Sequence, residues 1–405
     1  MKTVQLHDTW PLTRDPANPV APSPRIAEIR SLGIANIHMY DGLSAAMVLR
    51  YSDTREVLMS PDVSADRRKP GFPYVSDANR VNRGSRATLE TLDPPEHGEQ
   101  RGMLAKYLTQ KRVRNYRPFI EETVDRLIDD MEAAGQAADF VSQFAEMVPA
   151  SAISRLLGLP YEDIPFFIDR VRVWMDNAGD PVDIKQAMDD ITVYFDTLID
   201  ERAGSDANDL ISRMIREELA TGHIARQQFL LTLHLLITAG FDTTANTLAL
   251  GMIMLLQDRG QWGELVEDTE RRLVPGAVEE MLRYTSVAHN TPMRLAMADL
   301  PIGHTVIPAG KAILAPNMGA NHDPEYWDQP EKFDIHRDAR SHLAFSAGRH
   351  QCLGQQLARL ELQVALERLP KRLPKLRLAS DVAALNFRPL AQVYGVDSVP
   401  VRWDE

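Results

Sequence analysis

Apolar positions recur at three- and four-residue intervals through most of this chain, the pattern of amphipathic helices, over roughly 112–134, 140–157, 162–177, 185–202, 207–219 and 226–257. Gly135, Pro160, Gly179 with Pro181, and Gly222 punctuate these runs. Strand patterning is sparse. Two short β-prone runs between Ile34 and Leu49 flank Asp41-Gly42, a dipeptide that predicts a hairpin with positive φ at both turn residues. A second β-prone stretch spans Leu300 to Leu314, with Pro308-Ala309-Gly310 as its turn. Prolines and alternating charges from Asn317 to Ser346 predict a long irregular meander, followed by an amphipathic helix from Cys352 to about Arg368. Residues 1–24 carry Pro11, Pro16, Pro19, Pro22 and Pro24 and read as an extended arm over the surface. No Gly/Ser or charge-block linker divides residues 25–405, so the expectation is a single, mainly α domain with minor β sheets.

Composition narrows the partners. Of the 405 residues 44% are hydrophobic and 25% charged, which is ordinary globular usage and excludes wholesale disorder. Forty-five basic against 57 acidic residues leave a net charge of −12, so nucleic acid is not an expected partner. The N-terminus has no apolar segment behind basic residues. Phe229 to Leu256 would form a helix about 40 Å long, but His234, Asp242 and Asn246 interrupt it. A buried central helix is expected there, with no membrane association. One cysteine permits no intramolecular disulfide and suits a reducing cytoplasm.

That cysteine sits in Phe345-Ser346-Ala347-Gly348-Arg349-His350-Gln351-Cys352-Leu353-Gly354, between two glycines and just before a long helix. Glycines allow close approach of backbone to a flat ligand, and helix N-terminal amides favour a thiolate, a good soft ligand for iron. A lone cysteine can equally be an inert core residue; its neighbours decide. The segment resembles the cysteine loop of the cytochrome P-450 family, Phe-Gly-x-Gly-x-His-x-Cys-x-Gly followed by a helix with Leu-Ala-Arg, and departs from it only at Ser346. The resemblance implies a P-450 fold with haem b (iron protoporphyrin IX) between the long central helix and the cysteine loop. Cys352 would be the iron ligand, Phe345 would pack near the sulfur, and Gly348 would shape the loop.

Further motifs extend the resemblance from about Asp41 to the C-terminus. In Ala239-Gly240-Phe241-Asp242-Thr243-Thr244 a kinked helix alone would explain the residues; the resemblance implies that Thr243 serves oxygen activation and that Asp242 relays protons from solvent. Glu280-Met281-Leu282-Arg283 puts an acid and an arginine on one helical face. Taken alone this is an ordinary surface pair, whereas the resemblance implies a buried lock on the meander that includes Arg337. His97 and Arg101, one turn apart, resemble a haem-propionate clamp, and Arg294, His342 and His350 match further positions of that kind.

The resemblance also implies function: a soluble monooxygenase that hydroxylates a small, largely apolar molecule with O₂. Arg101, Lys106, Lys111, Arg112, Arg114 and Arg117 form an acid-free basic stretch for an acidic ferredoxin, itself served by a ferredoxin reductase. Leu235, Thr238 and Ala239 are expected to line the substrate pocket, with His289, Asn290 and the Tyr74–Arg83 loop as polar contacts. Alternatives are a nitric-oxide-reductase-like or phenol-coupling enzyme and a non-catalytic haem sensor; Asp242 beside Thr243 favours oxygen activation over the first and the last.

Overall fold

The apolar run at 226–257 folds as two consecutive helices, Arg226–Gly240 and Asp242–Gln257, in the computed structural model, which describes residues 4–84 and 86–403. Phe241, at φ −118° and ψ −44°, breaks the helical path. Gly240 just before it passes close to Ile153, whose side chain a Cβ would meet at 2.9 Å. The Thr243 hydroxyl donates to the Ala239 carbonyl at 3.0 Å across the break, satisfying an acceptor that the ladder leaves free. The pair is long and apolar enough to cross a membrane, yet 78% of its apolar window is buried inside the protein. A helix that is apolar on every side is a core helix when other helices surround it. Val141–Ala145, Met147–Leu157, Val274–Thr285 and Gln355–Arg372 do so here.

Half of the residues are helical and a tenth are strand, so the mainly α reading holds. The expected helix at 185–202 begins earlier, at Pro181, because proline suits the first helical position and the Asp180 carboxylate caps the Val182 amide. The helix expected from Cys352 begins only at Gln355, which leaves the cysteine in the loop. In the hairpin, Ala35–His38 pairs antiparallel with Ser44–Met47, but only Gly42 takes positive φ (82°). The connecting loop runs from Met39 to Leu43, and the Asp41 carboxylate accepts from the Leu43 amide.

These strands belong to a six-stranded sheet ordered Val4–Thr9, Ala35–His38, Ser44–Met47, Ala312–Leu314, Met293–Ala296, Val63–Ser64. Its residues alternate between two apolar clusters: Ala35, Ile37, Ala45, Met47 and Leu314 on one, Ile34, Ala46, Val48 and Ile313 on the other. The N-terminal arm is therefore more than a surface strap. Val4–Thr9 pairs parallel with Ala35–His38, the Arg14 guanidinium stacks 3.4 Å from the Tyr394 ring centroid, and the Tyr394 hydroxyl donates to Pro19 O at 2.6 Å.

Glu280 and Arg283 are fully buried. Arg283 Nε and Nη2 donate to the two Glu280 oxygens at 2.7 and 2.8 Å, and Nη1 donates to Asn321 O at 2.6 Å. Arg337 Nε and the Asp334 amide also donate to Glu280 Oε1, at 3.2 and 3.0 Å. Every charge has a partner, and the carbonyls of the meander saturate the guanidinium. The meander then delivers the chain to the cysteine loop.

Candidate active site

The cysteine loop lies between the helix Tyr51–Met59 and the helix Gln355–Arg372. Cys352 N donates to Phe345 O at 2.9 Å and closes the loop on itself. Two positions turn through the left-handed region, Ser346 at φ 61° and Gly348 at φ 71°. A Cβ at Gly348 would collide with the Leu58 carbonyl, so glycine is required there. Ser346, where the family pattern has glycine, holds the left-handed conformation at a strain cost of roughly 1 kcal/mol. Arg359 stacks 4.6 Å from the Phe345 ring centroid and fixes the ring beside the loop.

Cys352 lines a cavity of about 360 Å³, and Leu235, Ala239 and Thr243 line the same cavity from the central helix. Thiol and threonine hydroxyl thus share one chamber. Loss of solvation pushes the Cys352 thiol up, against the pull of the Gly354 and Gln355 amides and of Arg101 and Arg359. The helix terminus alone does not win: in the bare protein desolvation outweighs it, and a bound cation would be needed to hold a thiolate.

At the rim the cavity meets His97, Arg101, Arg294 and His350. Arg294 is buried, its guanidinium donates to the neighbouring Met293 carbonyl (2.8 Å), and burial followed by the charges of Arg67 and Arg349 pushes it down to about 10. The His97 and His350 rings lie 4.3 Å apart, with His97 Nε2 and His350 Nδ1 buried and unpartnered. Burial, then Arg294 and His97, push His350 down to about 2. Such a cluster of donors is unfavourable unless an anion is bound among them.

His342 does not join them. Its Nε2 lies 3.1 Å from Glu279 Oε2 and its Nδ1 accepts from the Ala344 amide at 3.1 Å, and it does not line the cavity. Burial opposes ionisation of Glu279, but hydrogen bonds from His342 and Arg359 hold it at about 2. A carboxylate that the sequence motif does not reveal has taken the histidine.

On the opposite wall, Asp242 is 3% exposed and lies behind the cavity lining. Oδ1 accepts from Asn246 Nδ2 at 2.9 Å, Arg388 Nη2 lies 3.6 Å away, and Oδ2 has no partner. Burial pushes this carboxyl up, against Arg388 and Asn246. Arg388 Nε lies 3.7 Å from the half-exposed Asp397, so the chain Asp242–Arg388–Asp397 runs toward solvent.

Of the expected substrate contacts, Leu235 and Ala239 line the main cavity, and Thr238 lines an adjoining lobe of about 130 Å³. His289 and Asn290 line neither. Both meet Ala391 O at 3.1 Å, and the His289 ring packs 5.3 Å from Tyr394; they pin the C-terminal segment to the core. The Tyr74–Arg83 loop contains a helix, Asp77–Arg83, capped by Ser76, and Tyr74 donates its hydroxyl to Arg67 O. The residues that reach the cavities flank it: Arg67 and Phe72 before, Arg86 to Thr91 after. Glu361 also escaped the motif reading. It lines the main cavity, is 1% exposed, and neither carboxylate oxygen has a hydrogen-bond partner. Burial pushes it well above the ordinary carboxylate value, with Thr244 opposing.

The sequence profile of the family Cytochrome P450 matches residues 167–373. A vitamin D3 dihydroxylase of Streptomyces griseolus is 41% identical over 367 residues, 91% of this chain and 90% of that protein. The chain belongs to the cytochrome P450 family. Among solved structures, the mycinamicin VIII C21 methyl hydroxylase MycCI of Micromonospora griseorubida, bound to mycinamicin VIII, matches with a TM-score of 0.91 and 34% identity over 98% of this chain and 100% of that one. The 20-oxo-5-O-mycaminosyltylactone 23-monooxygenase of Streptomyces fradiae is 37% identical over 97% of this chain and 92% of that protein. This P450 is an oxidoreductase of a family that binds haem, uses O₂ and draws on redox partners. Its cavity fits that cofactor: one soft donor on the wall, and His97, Arg101, Arg294 and His350 grouped on the lining with one ring nitrogen of each histidine unpartnered.

Proposed function

We propose that this P450 is a cytoplasmic haem-thiolate monooxygenase that hydroxylates a small, largely apolar molecule with electrons from a separate ferredoxin and its reductase. The observation that carries the reading is the placement of Cys352 and Thr243 in one cavity whose rim holds unpartnered donors. Cys352 would bind the iron, and Arg101, Arg294, His97 and His350 would hold the two propionates. When bound, the haem supplies oxygen activation.

The chain's own residues then govern protons and access. The Thr243 hydroxyl, its proton given to the Ala239 carbonyl, presents an acceptor oxygen at the cavity wall. Asp242, whose hold on a proton is strengthened by burial, passes protons inward from the Arg388–Asp397 side. Leu235 and Ala239 exclude water beside them.

The ferredoxin site is narrower than the basic stretch suggests. Lys106 pairs with Glu217 and Glu218, and Arg117 with Glu121 and Glu367. Lys111, Arg112 and Arg114 have no ion-pair partner among the described residues, and their helix packs on Gln355–Arg372, on the cysteine side. An acidic ferredoxin would dock there, with an encounter rate that falls as salt rises.

The test is a reduced, CO-bound absorption spectrum, followed by turnover with ferredoxin, reductase, NAD(P)H and ¹⁸O₂. A thiolate-type band and one labelled oxygen in the product are expected. A normal band with NADH consuming nitric oxide directly, and no labelled product across a broad panel, would replace this reading with the reductase one.

A further inference from the structure

The lobe of about 130 Å³ beyond Thr243 is not lined as an apolar pocket should be. It shares Leu235, Ala239, Thr243, Ala288 and Thr291 with the main cavity, so the two spaces adjoin along this wall. Three ionised side chains face it: Arg67, Arg86 and Glu90. Glu90 Oε1 lies 3.3 Å from Arg67 Nη2, so these two offset one another. Arg86 is left over.

The Arg86 guanidinium sits 5.0 Å from the Trp174 ring centroid, and Nη1 lies 3.5 Å from Met188 Sδ. Neither neighbour carries charge, and no carboxylate lies within ion-pair reach of Arg86 among the described residues. Burial pushes it down to about 10, with Glu90 opposing. His234, across the lobe, brings no anion. Its Nε2 meets the Thr192 hydroxyl at 2.8 Å, its Nδ1 is buried without a partner, and burial followed by Arg86 pushes it down to about 3. A half-buried cation backed by an indole and a thioether is poised for an oxyanion that enters with a ligand.

Resting on the monooxygenase reading, we propose that the substrate is an organic acid. Its carboxylate binds the Arg86 guanidinium in the outer lobe, and its apolar body runs along Leu235, Ala239 and Ala288 toward the cysteine side. The acid group then sets which carbon lies near Thr243. The lobe is small, which suits a carboxylate and not the paired phosphates of a dinucleotide.

The test uses the haem-loaded full chain, first checked by its CO-bound spectrum; failure at that step overturns the monooxygenase reading and this inference with it. With a normal spectrum in hand, haem-band titrations compare acids with their neutral analogues at pH 7.5: decanoic and dodecanoic acids and 4-phenylbutanoic acid, each against its methyl ester and its primary amide. At least one acid should bind roughly tenfold or more tightly than its ester, the yield of a charged hydrogen-bonded pair. Arg86→Gln should abolish that preference while leaving ester binding and the CO-bound spectrum unchanged, and Arg86→Lys should restore part of it. Glu90→Gln, which frees Arg67, should tighten acid binding further. Acids that bind no better than their esters, no binding by any acid, or an Arg86-dependent response to NADH in place of the acids, would each overturn the inference and leave the haem-thiolate reading standing.

Discussion

Two buried clusters of basic side chains flank the haem cavity, and they differ in one respect. Around Glu280, two guanidiniums, a backbone amide and a set of meander carbonyls meet until no charge is left without a partner. Around Arg294, cationic and imidazole groups crowd together with no ion-pair partner for Arg294 among the described residues, and two ring nitrogens stay unpaired. Sequence presents both alike, as basic residues near motif positions. What separates architecture from a ligand site is compensation: a closed network stabilises the fold as it stands, whereas an open one is a cost to the empty protein that a bound anion removes.

The largest effect expected from breaking this comparison lies at the donor that the open cluster surrounds. Cys352→Ala should abolish the thiolate-type band of the reduced, CO-bound protein and all oxygenation, read by absorption spectroscopy and product analysis. A variant that kept both would remove the cavity from the mechanism. Next, Arg283→Met takes its bidentate partner from the buried Glu280 and leaves it only Arg337 and the Asp334 amide. It should destabilise haem-free and haem-loaded protein alike by about 3–5 kcal/mol in denaturant unfolding.

Arg294→Met sharpens the contrast, because the same chemical change should act in the opposite sense on the empty protein. Without haem, removing an uncompensated buried charge should leave the unfolding midpoint unchanged or raise it. With haem, loss of one propionate partner should speed haem transfer to an acceptor such as apomyoglobin roughly tenfold, as a charge-assisted hydrogen bond would. Equal destabilisation of both forms would show that the cluster is architectural after all.

The cysteine loop and the Glu280–Arg283 pair were legible in the sequence because each is local: ten consecutive residues, or a spacing of three on one helix. The pocket floor was legible through Leu235 and Ala239, which share a helix with Thr243. His289, Asn290 and His342 were placed in the site by position along the chain, but their partners, Ala391 and Glu279, come from elsewhere in the fold. Lys106 and Arg117 of the basic stretch at 101–117 are neutralised in the same way. Their compensating acids Glu217, Glu218 and Glu367 lie more than a hundred residues away in sequence. The break at Phe241 was foreshadowed by Gly240, whereas the sheet pairing of Val4–Thr9 depends on a distant partner strand that periodicity does not identify.

Glu361 is the site residue whose signal was present and unused. It stands four residues after Leu357 and four before Ala365, both buried, so an acid interrupts the apolar stripe of its own helix. It is the acidic mirror of Arg294: a buried ionisable group with no ion-pair partner among the described residues. Its folded-state value is raised above the ordinary 4.5, so between 4.5 and that raised value the folded protein binds more protons than the unfolded chain. Stability from this group is full below 4.5 and is lost as pH rises through that window. Glu361→Gln keeps the shape and stays neutral in both states, so it should flatten this part of the pH–stability curve. The stability of the variant relative to the parent should therefore be greater at pH 8 than at pH 5. The measurement is urea unfolding of the haem-free protein at the two pH values. Parallel curves would mean that Glu361 has a partner in solution, and the symmetry with Arg294 would be broken.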